Sequence, residues 1–332
     1  MTSEHDLIVV GAGLSGLLAA RHLKESVENV LVLDKGRGVG GRLSRRRFDG
    51  GVFDHGAQYF TVSDARFRNV ADELIAAGVV RVWSTGFEDA AGHFKDNGAP
   101  RYVGVDGMSA VARFLARGLQ VKTQHRVVEI TGRDDGWRIT TSEGVRFLSR
   151  ALLLTAPVPQ SLELLMSGGV YLPTDSLQAL QRIQYARCLA LMVELDGKSR
   201  IPPPGGKWLS GEPIAWIADN NQKGISAGKT TAVTIHAGPQ FSLKHWDSAE
   251  EVVRDRLLSV AEPFLPGAPV HSQLHRWKFS LPTTLHRDRF LLIEQPAPLV
   301  FAGDAFGGPK VEGAALSGLS AGTALSRYLS PH

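Results

Sequence analysis

The sequence predicts a mixed α/β protein in which a parallel sheet with a crossover helix is interrupted by a second, antiparallel sheet. Three observations predict it. A strand–turn–helix–strand unit opens the chain, a matching strand and glycine turn lie near its end, and alternating strands recur between residues 188 and 278. With 332 residues, 43% hydrophobic and 21% charged, the chain is long enough for two domains of ordinary globular composition.

The first element is a βαβ unit over the first forty residues. A buried strand at residues 7–10 runs into a glycine turn and then a helix to residue 23. Gly11 permits the tight turn, Gly13 lets the backbone approach a pyrophosphate, and Gly16 lets the helix pack closely on the strands. The free N–H groups at the helix N-terminus favour phosphate. The residues predicted to bind a dinucleotide here are Gly11, Ala12, Gly13, Leu14, Ser15 and Gly16.

An acidic residue marks the end of the second strand, at residues 30–33. Asp34 follows Gly16 by eighteen positions, where a carboxylate accepts hydrogen bonds from ribose hydroxyls and repels a 2′-phosphate. A glycine-rich loop comes next and ends in Arg42, whose guanidinium can bind a phosphate through two parallel hydrogen bonds. Lys35, Gly41 and Arg42 are therefore predicted to join Asp34 in binding the cofactor.

The far end of the chain carries the second half of the same apparatus. An apolar strand at residues 299–302 leads into Gly303 and Asp304, and a helix of small residues begins near Glu312. A nicotinamide enzyme usually needs only the first half, whereas a tightly held FAD commonly uses both. Asp304 is predicted to accept hydrogen bonds from the ribityl chain or on the pyrophosphate side of the cofactor. The helix N-terminus is predicted to stabilise negative charge on the reduced flavin.

Between these halves the periodicity changes along the chain. Helices are predicted over residues 64–78, 110–119, 161–166, 176–183 and 248–258. Strands are predicted over residues 121–130, 137–141, 145–148, 151–155, 188–195, 214–219, 231–237 and 272–278. The later strands alternate as in an antiparallel sheet with one open face. We therefore predict a discontinuous FAD-binding domain from residues 1–60, 105–160 and 288–332, and an inserted substrate domain from residues 61–104 and 161–287.

Composition and spacing narrow the classes of function. The net charge of +4 is mild, and the basic run at residues 42–47 forms either a solvated loop or a patch that attracts dinucleotide phosphates. No nucleic-acid-binding motif accompanies it. The single cysteine, Cys188, excludes an intrachain disulfide and a cysteine–metal cluster. His271 and His275 lie in an expected strand, where their spacing gives no chelate, so no metal is predicted.

No apolar run in the sequence reaches membrane-spanning length, and residues 1–6 form a short polar lead without a signal peptide. The expectation is a soluble cytoplasmic protein, a monomer or weak dimer. Its expected partners are a small dinucleotide substrate and molecular oxygen, with no nucleic acid and no membrane.

Five segments of the chain resemble the renalase-like flavoproteins, a branch of the flavin amine oxidase superfamily. They are residues 11–16, Asp34-Lys35 with Gly40-Gly41-Arg42, Asp54-His55-Gly56-Ala57-Gln58-Tyr59-Phe60, Thr155-Ala156-Pro157, and Gly303-Asp304 with Val311-Glu312-Gly313-Ala314. The resemblance covers the whole chain, and the Asp-x-Gly-Ala-Gln-Tyr segment is its more specific part. Two further segments are similar to the bacterial branch: His275-Arg276-Trp277 and Gly107-Met108-Ser109-Ala110.

The resemblance implies noncovalent FAD in a two-domain fold like that of aromatic hydroxylases and amine oxidases. It also implies oxidation of 2- and 6-dihydro isomers of NAD(P)H to NAD(P)+, with electrons passing to oxygen to give hydrogen peroxide. Because the product is aromatic, hydride departure needs no strong general base, which fits a sequence with no convincing catalytic dyad. Further implied cofactor contacts are Gly56, Ala57, Gln58, Tyr59, Val127, Val128, Thr155, Pro157, Gly303, Asp304, Glu312, Gly313 and Ala314.

Six residues are predicted to line a substrate pocket beside the flavin: Gln58, Tyr59, Trp216, Asn220, His236 and Trp277. The first two follow a Gly-Ala turn and should reach the flavin edge. The other four belong to the inserted sheet, where a core position is the alternative for each large side chain. His236 is the best candidate for a polar orienter of a nicotinamide carboxamide.

Three departures from the family pattern fall near the expected flavin end. Ala305-Phe306 stands where bacterial members carry Trp, Lys310 stands where they carry arginine, and His55 stands where methionine is frequent. FAD binding stays the expectation, and the departures bear on substrate preference.

Two other functions stay open from the sequence. One is an amine oxidase or desaturase, although neither an aromatic cage nor a lysine near flavin N5 is assignable. The other is a flavin-carrying structural or regulatory protein without turnover, against which the retained Gln58-Tyr59 segment argues.

Overall fold

The structure of the protein, a computed structural model, describes residues 4–329. Its helices are α1 (Leu14–Leu23), α2 (Ala65–Ala76), α3 (Ser109–Leu115), α4 (Val158–Ser167), α5 (Thr174–Gln181), α6 (Pro239–Lys244), α7 (Glu250–Ala261) and α8 (Lys310–Leu329). Its strands are β1 (Glu4–Val10), β2 (Val30–Leu33), β3 (Arg45–Phe48), β4 (Gly51–Asp54), β5 (Val80–Glu88), β6 (Phe94–Gly104), β7 (Gln120–Lys122), β8 (Val127–Arg133), β9 (Gly136–Thr141), β10 (Arg146–Leu154), β11 (Tyr185–Leu195), β12 (Gly206–Trp208), β13 (Ile214–Asp219), β14 (Thr231–Ala237), β15 (Pro269–Pro282), β16 (Leu291–Ile293) and β17 (Leu299–Phe301). The sequence predicts a polar lead over residues 1–6, but β1 already begins at Glu4, and residues 1–3 lie outside the described part.

The first sheet has a parallel core. Its strands follow the order β16-β17-β10-β1-β2-β7, with β8 and β9 attached beside β10. The neighbours from β17 to β7 along this path are all parallel. Leu7 and Val9 of β1 pack in the cluster formed with α1 and α8, while Ile8 and Val10 pack with α4 and α5 on the other face. Apolar residues therefore run continuously along β1, as expected for a strand covered on both sides.

The second sheet is almost entirely antiparallel. Its order is β15-β11-β14-β13-β12-β5-β6, and the contact between β12 and β5 is its parallel pair. Its outer face packs on α7, through Leu191 and Val253. Its inner face receives the β3–β4 hairpin, where Phe53 packs on Met192. Strands from residues 61–104 and 161–287 thus share one sheet, and the division into two domains stays our interpretation of this arrangement.

The predicted strand over residues 121–130 is two strands in the structure, β7 and β8. Gln124, at φ +58°, turns the chain between them. The backbone N–H groups of Gln124 and His125 donate to the carbonyl oxygens of Gly36 (2.8 Å) and Asp34 (2.9 Å). This segment is therefore held against the loop after β2, which the alternating sequence pattern does not reveal.

The predicted strands over residues 145–148 and 151–155 are, conversely, one strand, β10. Ser149 and Arg150 interrupt the apolar pattern but remain within the strand. Ser149 Oγ donates to a backbone carbonyl two residues further on (2.5 Å), and Arg150 forms an ion pair with Asp6 (3.2 Å). Both polar groups are satisfied in place, so the strand continues through them.

Helices α1 and α8 bring the two ends of the chain into direct contact. A Cβ built on Gly318 of α8 would lie 2.2 Å from the carbonyl oxygen of Ser15 in α1, so the backbones touch there. At Gly322 a Cβ would lie 3.1 Å from the His22 side chain, a looser approach. Only glycine permits the packing at position 318. Among the helices between residues 4 and 329, none is both long and apolar enough to span a bilayer.

Candidate functional site

The glycine turn after β1 and the loop after β2 lie side by side. Gly13 and Gly40 form a parallel bridge, and the N–H of Gly40 donates to the carbonyl oxygen of Ala12 (2.8 Å). Gly11 has a φ of +116°, which glycine adopts without strain. A Cβ built on Gly13 would meet nothing within 4 Å. Open space therefore lies over the Gly13 backbone, as close approach by a pyrophosphate requires.

The N-terminus of α1 has unused hydrogen-bond donors. Gly13 begins the helix without a side-chain cap, so the N–H groups of the first turn lack intrahelical acceptors. The Ser15 hydroxyl in the same turn is buried without a hydrogen-bond partner in the described part of the chain. A phosphate at this end of the helix would accept from both kinds of donor. The residues present thus fit the pyrophosphate of a dinucleotide cofactor.

Asp34 and Thr155 hold the glycine turn in shape. The Asp34 carboxylate accepts from the N–H groups of Ala12 (2.7 Å) and Gly36 (2.6 Å), which fixes it at the tip of β2. Thr155 Oγ1 donates to the carbonyl oxygen of Gly11 (3.0 Å). The resemblance implies a cofactor contact at Thr155, and the structure gives its hydroxyl a supporting role beneath the turn.

The other residues predicted on this side lie around the turn. Lys35 is exposed and reaches the Gln160 side chain (3.5 Å), Pro157 precedes α4, Val127 begins β8, and Val128 leaves 40% of its surface exposed. A cofactor role stays a prediction for each of these four. Four other predicted cofactor residues lie in the same region. Leu14 is buried at the start of α1, Gly41 lies beside Gly13, Gly303 follows the end of β17, and Ala314 lies in the first turns of α8.

Arg42 and Asp304 form a bidentate ion pair that joins the two halves of the chain. The Arg42 Nη1 and Nη2 atoms lie 2.6 and 2.8 Å from the two carboxylate oxygens of Asp304, and Nη1 also donates to the Ser280 carbonyl (3.2 Å). The sequence predicts that the guanidinium binds a phosphate and that the carboxylate accepts hydrogen bonds from the cofactor. In the structure the two groups satisfy each other, because opposite charges in a poorly hydrated place pair strongly. The pair clamps the loop after β2 to the end of β17.

The segment of residues 54–60 lies against the same loop. The N–H of Ala57 donates to the carbonyl oxygen of Arg42 (2.8 Å). The Gln58 side-chain amide donates to the carbonyl oxygens of Asp54 (2.6 Å) and Gly56 (3.2 Å), so it stabilises its own segment. Its Oε1 atom is buried and accepts from no residue between 4 and 329. That free acceptor is the part of Gln58 available to a bound group.

A carboxylate and an ammonium are buried together at the base of this segment. The Lys223 Nζ atom lies 2.8 Å from Asp54 Oδ2, and both side chains are 0% exposed. Asp54 Oδ1 accepts from the N–H of Met108 (2.8 Å), and Nζ lies 4.9 Å from the centre of the Trp83 ring. Burial lowers the pKa of Lys223, and the Asp54 charge partly opposes this. The pair ties the turn after β13 to the end of β4.

Three imidazoles and an indole meet on the inner face of the second sheet. Strand pairing aligns His275 and His236 with Ala190 between them, and Trp277 follows two residues later on the same face. The carbonyl oxygen of His55 accepts from His236 Nε2 (3.1 Å) and Trp277 Nε1 (2.8 Å). The His55 ring stacks on Trp277 and meets His275 edge-on, at centre distances of 5.2 and 4.8 Å. We call these four residues (His55, His236, His275 and Trp277) the imidazole cluster.

The imidazoles of this cluster are neutral at pH 7. The pKa of His55 is lowered to about 3 and those of His236 and His275 to about 4, chiefly by burial; the neighbouring His275 and Arg46 contribute to the lowering at His55, and Arg46 contributes at His275. A neutral imidazole offers one donor and one acceptor, and with so low a pKa it is a weak base. The cluster can orient polar groups of a ligand, but it is poorly suited to removing a proton at neutral pH.

Aromatic side chains surround Tyr59. Its ring centre lies 6.3 Å from that of Trp83, 5.4 Å from that of Phe87 and 6.1 Å from that of Trp216. Burial raises the pKa of Tyr59. Trp216 is 2% exposed, so the structure places it inside this aromatic group rather than at a pocket surface. Its Nε1 atom is buried without a partner in the described part of the chain, and a role for Trp216 in a substrate pocket stays a prediction.

Asn220 is also buried, and a role for it in a substrate pocket stays a prediction. Its side chain is 0% exposed, and its Nδ2 group donates to the carbonyl oxygen of Ala232 (3.1 Å) and to Thr234 Oγ1 (3.0 Å). Its position just after β13 predicts a pocket residue. In the structure its amide joins the end of β13 to Ala232 and Thr234 of β14, because a buried amide must satisfy its own hydrogen bonds.

The Glu312 side chain turns toward the start of α2. Its carboxylate accepts from the N–H and hydroxyl of Ser63 (2.6 and 2.5 Å) and from the N–H of Asp64 (2.9 Å). Any cofactor contact at this position must therefore come from the backbone. A Cβ on Gly313 would lie 1.8 Å from the carbonyl oxygen of Gly308, so the first turn of α8 folds tightly onto the loop before it.

The sequence does not indicate a role for Lys223, and it indicates Arg46 only as one member of the basic run at residues 42–47, for which a phosphate-attracting patch is one of two alternatives. Lys223 follows Asn220-Asn221-Gln222, a polar turn typical of an exposed surface, and the structure places Arg46 in β3. The one available signal is Asp54, which directly follows the apolar pair Val52-Phe53. An acid buried behind such a strand requires a partner, but the sequence does not say which cation supplies it.

Two surface grooves lie apart from these clusters. One, of about 860 Å³, is lined mainly by α6 and α7, and the other, of about 610 Å³, by α4, α5 and the residues beside them. Neither is lined by a predicted site residue.

Comparison with known sequences gives matches over the whole chain. A family described as flavin containing amine oxidoreductase matches residues 84–325, and one described as NAD(P)-binding Rossmann-like domain matches residues 9–74. Renalase from Mus musculus is 29% identical over 97% of this chain and 99% of its own length. Putrescine oxidase from Kocuria rosea is 38% identical over 71 residues, which are 21% of this chain and 15% of that protein.

Solved structures share the fold. A putrescine oxidase with bound putrescine has a TM-score of 0.73 at 14% identity, covering 98% of this chain and 99% of that one. Cyclohexylamine oxidase from Brevibacterium oxydans IH-35A has a TM-score of 0.73 at 13% identity, covering 98% and 100%. At these identities the likeness concerns the fold alone. The predicted fold, a Rossmann-type domain with an inserted antiparallel sheet, is confirmed.

Proposed function

The chain belongs to the family of flavin-containing amine oxidoreductases, and from that premise we propose that it oxidises dihydro isomers of NAD(P)H reduced at ring position 2 or 6. The predictions of a renalase-like FAD-dependent oxidoreductase and of FAD as its cofactor are confirmed by the family match and the full-length similarity to renalase. The family also implies a small-molecule substrate and oxygen. The identity of that substrate is the proposal.

The proposed reaction turns a dihydropyridine into an aromatic pyridinium. The substrate gives up one hydride, and no proton need leave it first, so the driving force comes from the ring itself. When bound, FAD supplies the hydride acceptor and passes the two electrons to oxygen. In total, the dihydro dinucleotide, oxygen and one proton give NAD(P)+ and hydrogen peroxide. The chain's own residues have to bind and orient the ring and exclude water.

The observation that carries the proposal is the neutral imidazole cluster. Its three imidazoles have a pKa of about 3 to 4, so they orient a polar group such as a carboxamide but are weak bases at pH 7. The carboxylate of the adjoining segment, Asp54, is occupied by Lys223 and the N–H of Met108. A site that can orient a ligand but is poorly suited to removing a proton favours the proposal that the substrate loses only a hydride.

The proposal is tested by anaerobic stopped-flow measurement of flavin absorbance. The yellow protein is mixed with a dinucleotide preparation enriched in the 2- and 6-dihydro isomers, and separately with ordinary 4-dihydro NADH and with a panel of amines. We expect fast bleaching with the isomers alone and recolouring when air is admitted. Bleaching by an amine, or by ordinary NADH at the same rate as by the isomers, would contradict the proposal.

Replacement of His236 by alanine is expected to impair turnover while FAD stays bound. The loss of one neutral hydrogen-bonding group should raise KM or lower the rate of flavin reduction by up to about tenfold. The measurement is stopped-flow reduction across substrate concentrations. His271→Ala is the matched control, because His271 lies on the same strand as His275 but pairs with Asp49 (3.1 Å), outside the cluster. Unchanged reduction kinetics in the His236→Ala protein would remove this residue from the site.

Replacement of Asp304 by alanine is expected to weaken FAD binding by about tenfold or more, because it removes both charge-assisted hydrogen bonds to Arg42. The loop after β2 would then lose its attachment to the end of β17. The ratio of flavin to protein absorbance in the purified protein measures the effect. Asp304→Asn keeps an acceptor for Arg42 and should retain more FAD. An Asp304→Ala protein that purifies with full yellow colour would refute the prediction that Asp304 supports FAD binding.

A second candidate function, amine oxidation, has one observation in its favour. Amine oxidases usually carry an aromatic cage and a lysine near flavin N5, and the structure contains the aromatic group around Tyr59 and the buried Lys223. Against this assignment, the Lys223 ammonium is bonded to Asp54 at 2.8 Å. The amine panel in the stopped-flow experiment decides between the two functions.

A further inference from the structure

Arg46 is a half-buried cation without a counterion in the described part of the chain. It lies in β3, and its Nε atom is buried with no hydrogen-bond partner among residues 4–329. Its neighbours in the strand differ, because Arg45 donates to the carbonyl oxygen of Asp106 and Arg47 is exposed to solvent. A buried N–H donor without an acceptor is costly, so this arrangement indicates a ligand that supplies an acceptor for Nε and a counter-charge for the guanidinium.

The β3–β4 hairpin places Arg46 over the inner face of the second sheet. Arg46 and Phe53 are paired across the hairpin, so their side chains lie on the same face. Phe53 packs on Met192 of β11. Phe48, two residues after Arg46 and on the same side, lies 5.2 Å from the His271 ring of β15. The face that carries Arg46 is therefore turned toward the sheet and not toward solvent.

The charge of Arg46 acts on the imidazole cluster. Beyond the effect of burial, it lowers the pKa of His55 and of His275. The Nδ1 atom of His55 is buried without a partner in the same described range. An unneutralised guanidinium thus lies beside imidazoles that carry no charge of their own.

The carboxylates on this part of the sheet do not supply the missing counterion. Asp49 Oδ2 lies 3.1 Å from His271 Nδ1, and Glu194 accepts from the Thr230 hydroxyl while its Oε2 atom is buried without a partner among the described residues. Arg46 forms no ion pair with either residue, nor with any other acid in the part of the chain that the structure describes. The positive charge at the edge of the cluster is therefore available to a bound anion.

We propose that Arg46, with His275 beside it, forms a subsite for an anionic group of the substrate. The inference rests on the proposed function, under which the group is a phosphate of the dinucleotide. A guanidinium binds two phosphate oxygens in a bidentate geometry, and a neutral imidazole adds one further hydrogen-bond donor. The dihydropyridine ring would then lie toward the His236 side of the cluster and the phosphate toward Arg46. Arg46 would distinguish a phosphorylated substrate from its nucleoside.

The test compares oxidised ligands that differ only in phosphate. Equilibrium dissociation constants of NAD+, nicotinamide mononucleotide and nicotinamide riboside are measured by perturbation of the flavin spectrum in the wild-type holoenzyme and in the Arg46→Gln holoenzyme. We expect Arg46→Gln to weaken binding of the two phosphorylated ligands by about tenfold or more, since a charge-assisted hydrogen bond is lost, and to leave the riboside unchanged. Arg46→Lys should restore part of the affinity.

Arg47→Gln is the matched control, since it removes the same charge one residue away on the exposed side of β3. Equal losses in both variants would overturn the proposal, because they would reveal only a general effect of net charge. Equal weakening of riboside and mononucleotide would overturn it as well. Loss of FAD from the Arg46→Gln protein, with unchanged ligand affinity in the fraction that remains yellow, would assign Arg46 to the cofactor and not to the substrate.

Inorganic pyrophosphate separates this inference from the proposed function. Its binding to the holoenzyme is followed through the imidazole NMR resonances of His55 and His275, whose assignment comes from single histidine variants. A pyrophosphate shift that is present in the wild type and absent in Arg46→Gln supports the subsite even if no dihydronicotinamide bleaches the flavin. Bleaching by the isomers without any pyrophosphate shift would overturn the subsite and leave the proposed function standing.

Discussion

Replacement of Lys223 by methionine is expected to lower the free energy of unfolding by about 3–5 kcal/mol, the cost of removing one partner from a buried ion pair. Lys223 and Asp54 are both 0% exposed and lie 2.8 Å apart. Without the ammonium, the Asp54 carboxylate keeps the N–H of Met108 (2.8 Å) as its remaining donor. Methionine fills similar volume, so most of the loss should come from the unpaired charge rather than from a cavity.

Chemical denaturation of the holoenzyme, followed by tryptophan fluorescence, measures this effect. Lys229→Met is the matched control, because Lys229 is exposed in the same loop, and it should change stability by less than about 0.5 kcal/mol. The double variant Asp54→Asn/Lys223→Met removes both charges and should recover part of the stability. A double variant less stable than Lys223→Met alone would show that the unpaired carboxylate is not the cause.

Replacement of Gly318 by alanine is expected to cost about 1–3 kcal/mol of stability and to reduce the FAD content of the purified protein. The added Cβ would lie 2.2 Å from the Ser15 carbonyl oxygen, which is backbone and cannot rotate away. Helix α8 must therefore move off α1. Because Ser15 lies in the first turn of α1, the shift reaches the end of the helix that fits the pyrophosphate.

Gly322→Ala provides the comparison for Gly318→Ala. At position 322 an added Cβ would lie 3.1 Å from the His22 side chain and 3.2 Å from the Ala19 carbonyl oxygen, so a shift of a few tenths of an ångström relieves the contact. Thermal unfolding and flavin absorbance should therefore change little in Gly322→Ala and clearly in Gly318→Ala. Equal effects in the two variants would mean that the close approach of α8 to Ser15 does not determine cofactor binding.

The parts of the site that could be predicted from the sequence are local in the chain. The glycine turn, Asp34 and the crossover helix lie within one short segment, where each residue type has a steric or hydrogen-bonding reason for its position. The strand at β17 and the glycine turn after it are local in the same sense. The family and the fold of the protein were predicted from such segments, and the comparisons confirm both.

The parts that could not be predicted depend on pairs far apart in the sequence. Arg42 and Asp304 are each plausible ligands of a phosphate or ribityl group when considered alone, and only the fold shows that they bind each other. Asn220 is predicted to be a pocket residue from its position after β13, and only the fold shows that its amide bonds to Ala232 and Thr234 of β14. Lys223 lies in a polar turn, and nothing near it in sequence indicates that the ammonium is buried on Asp54. Long-range pairing, not residue type, decides these three roles.

The contact between α1 and α8 also has a consequence for synthesis of the protein. A ribosome adds about 5–20 residues per second, so roughly fifteen seconds or more separate the appearance of Ser15 from that of Gly318. During that interval the apolar side of α1 has no α8 to cover it, and β10 lacks its parallel neighbour β17. We expect the nascent chain to acquire its flavin only near the end of translation. A chain that terminates before α8 would then remain colourless and expose the surface by which cellular quality control recognises unfinished proteins.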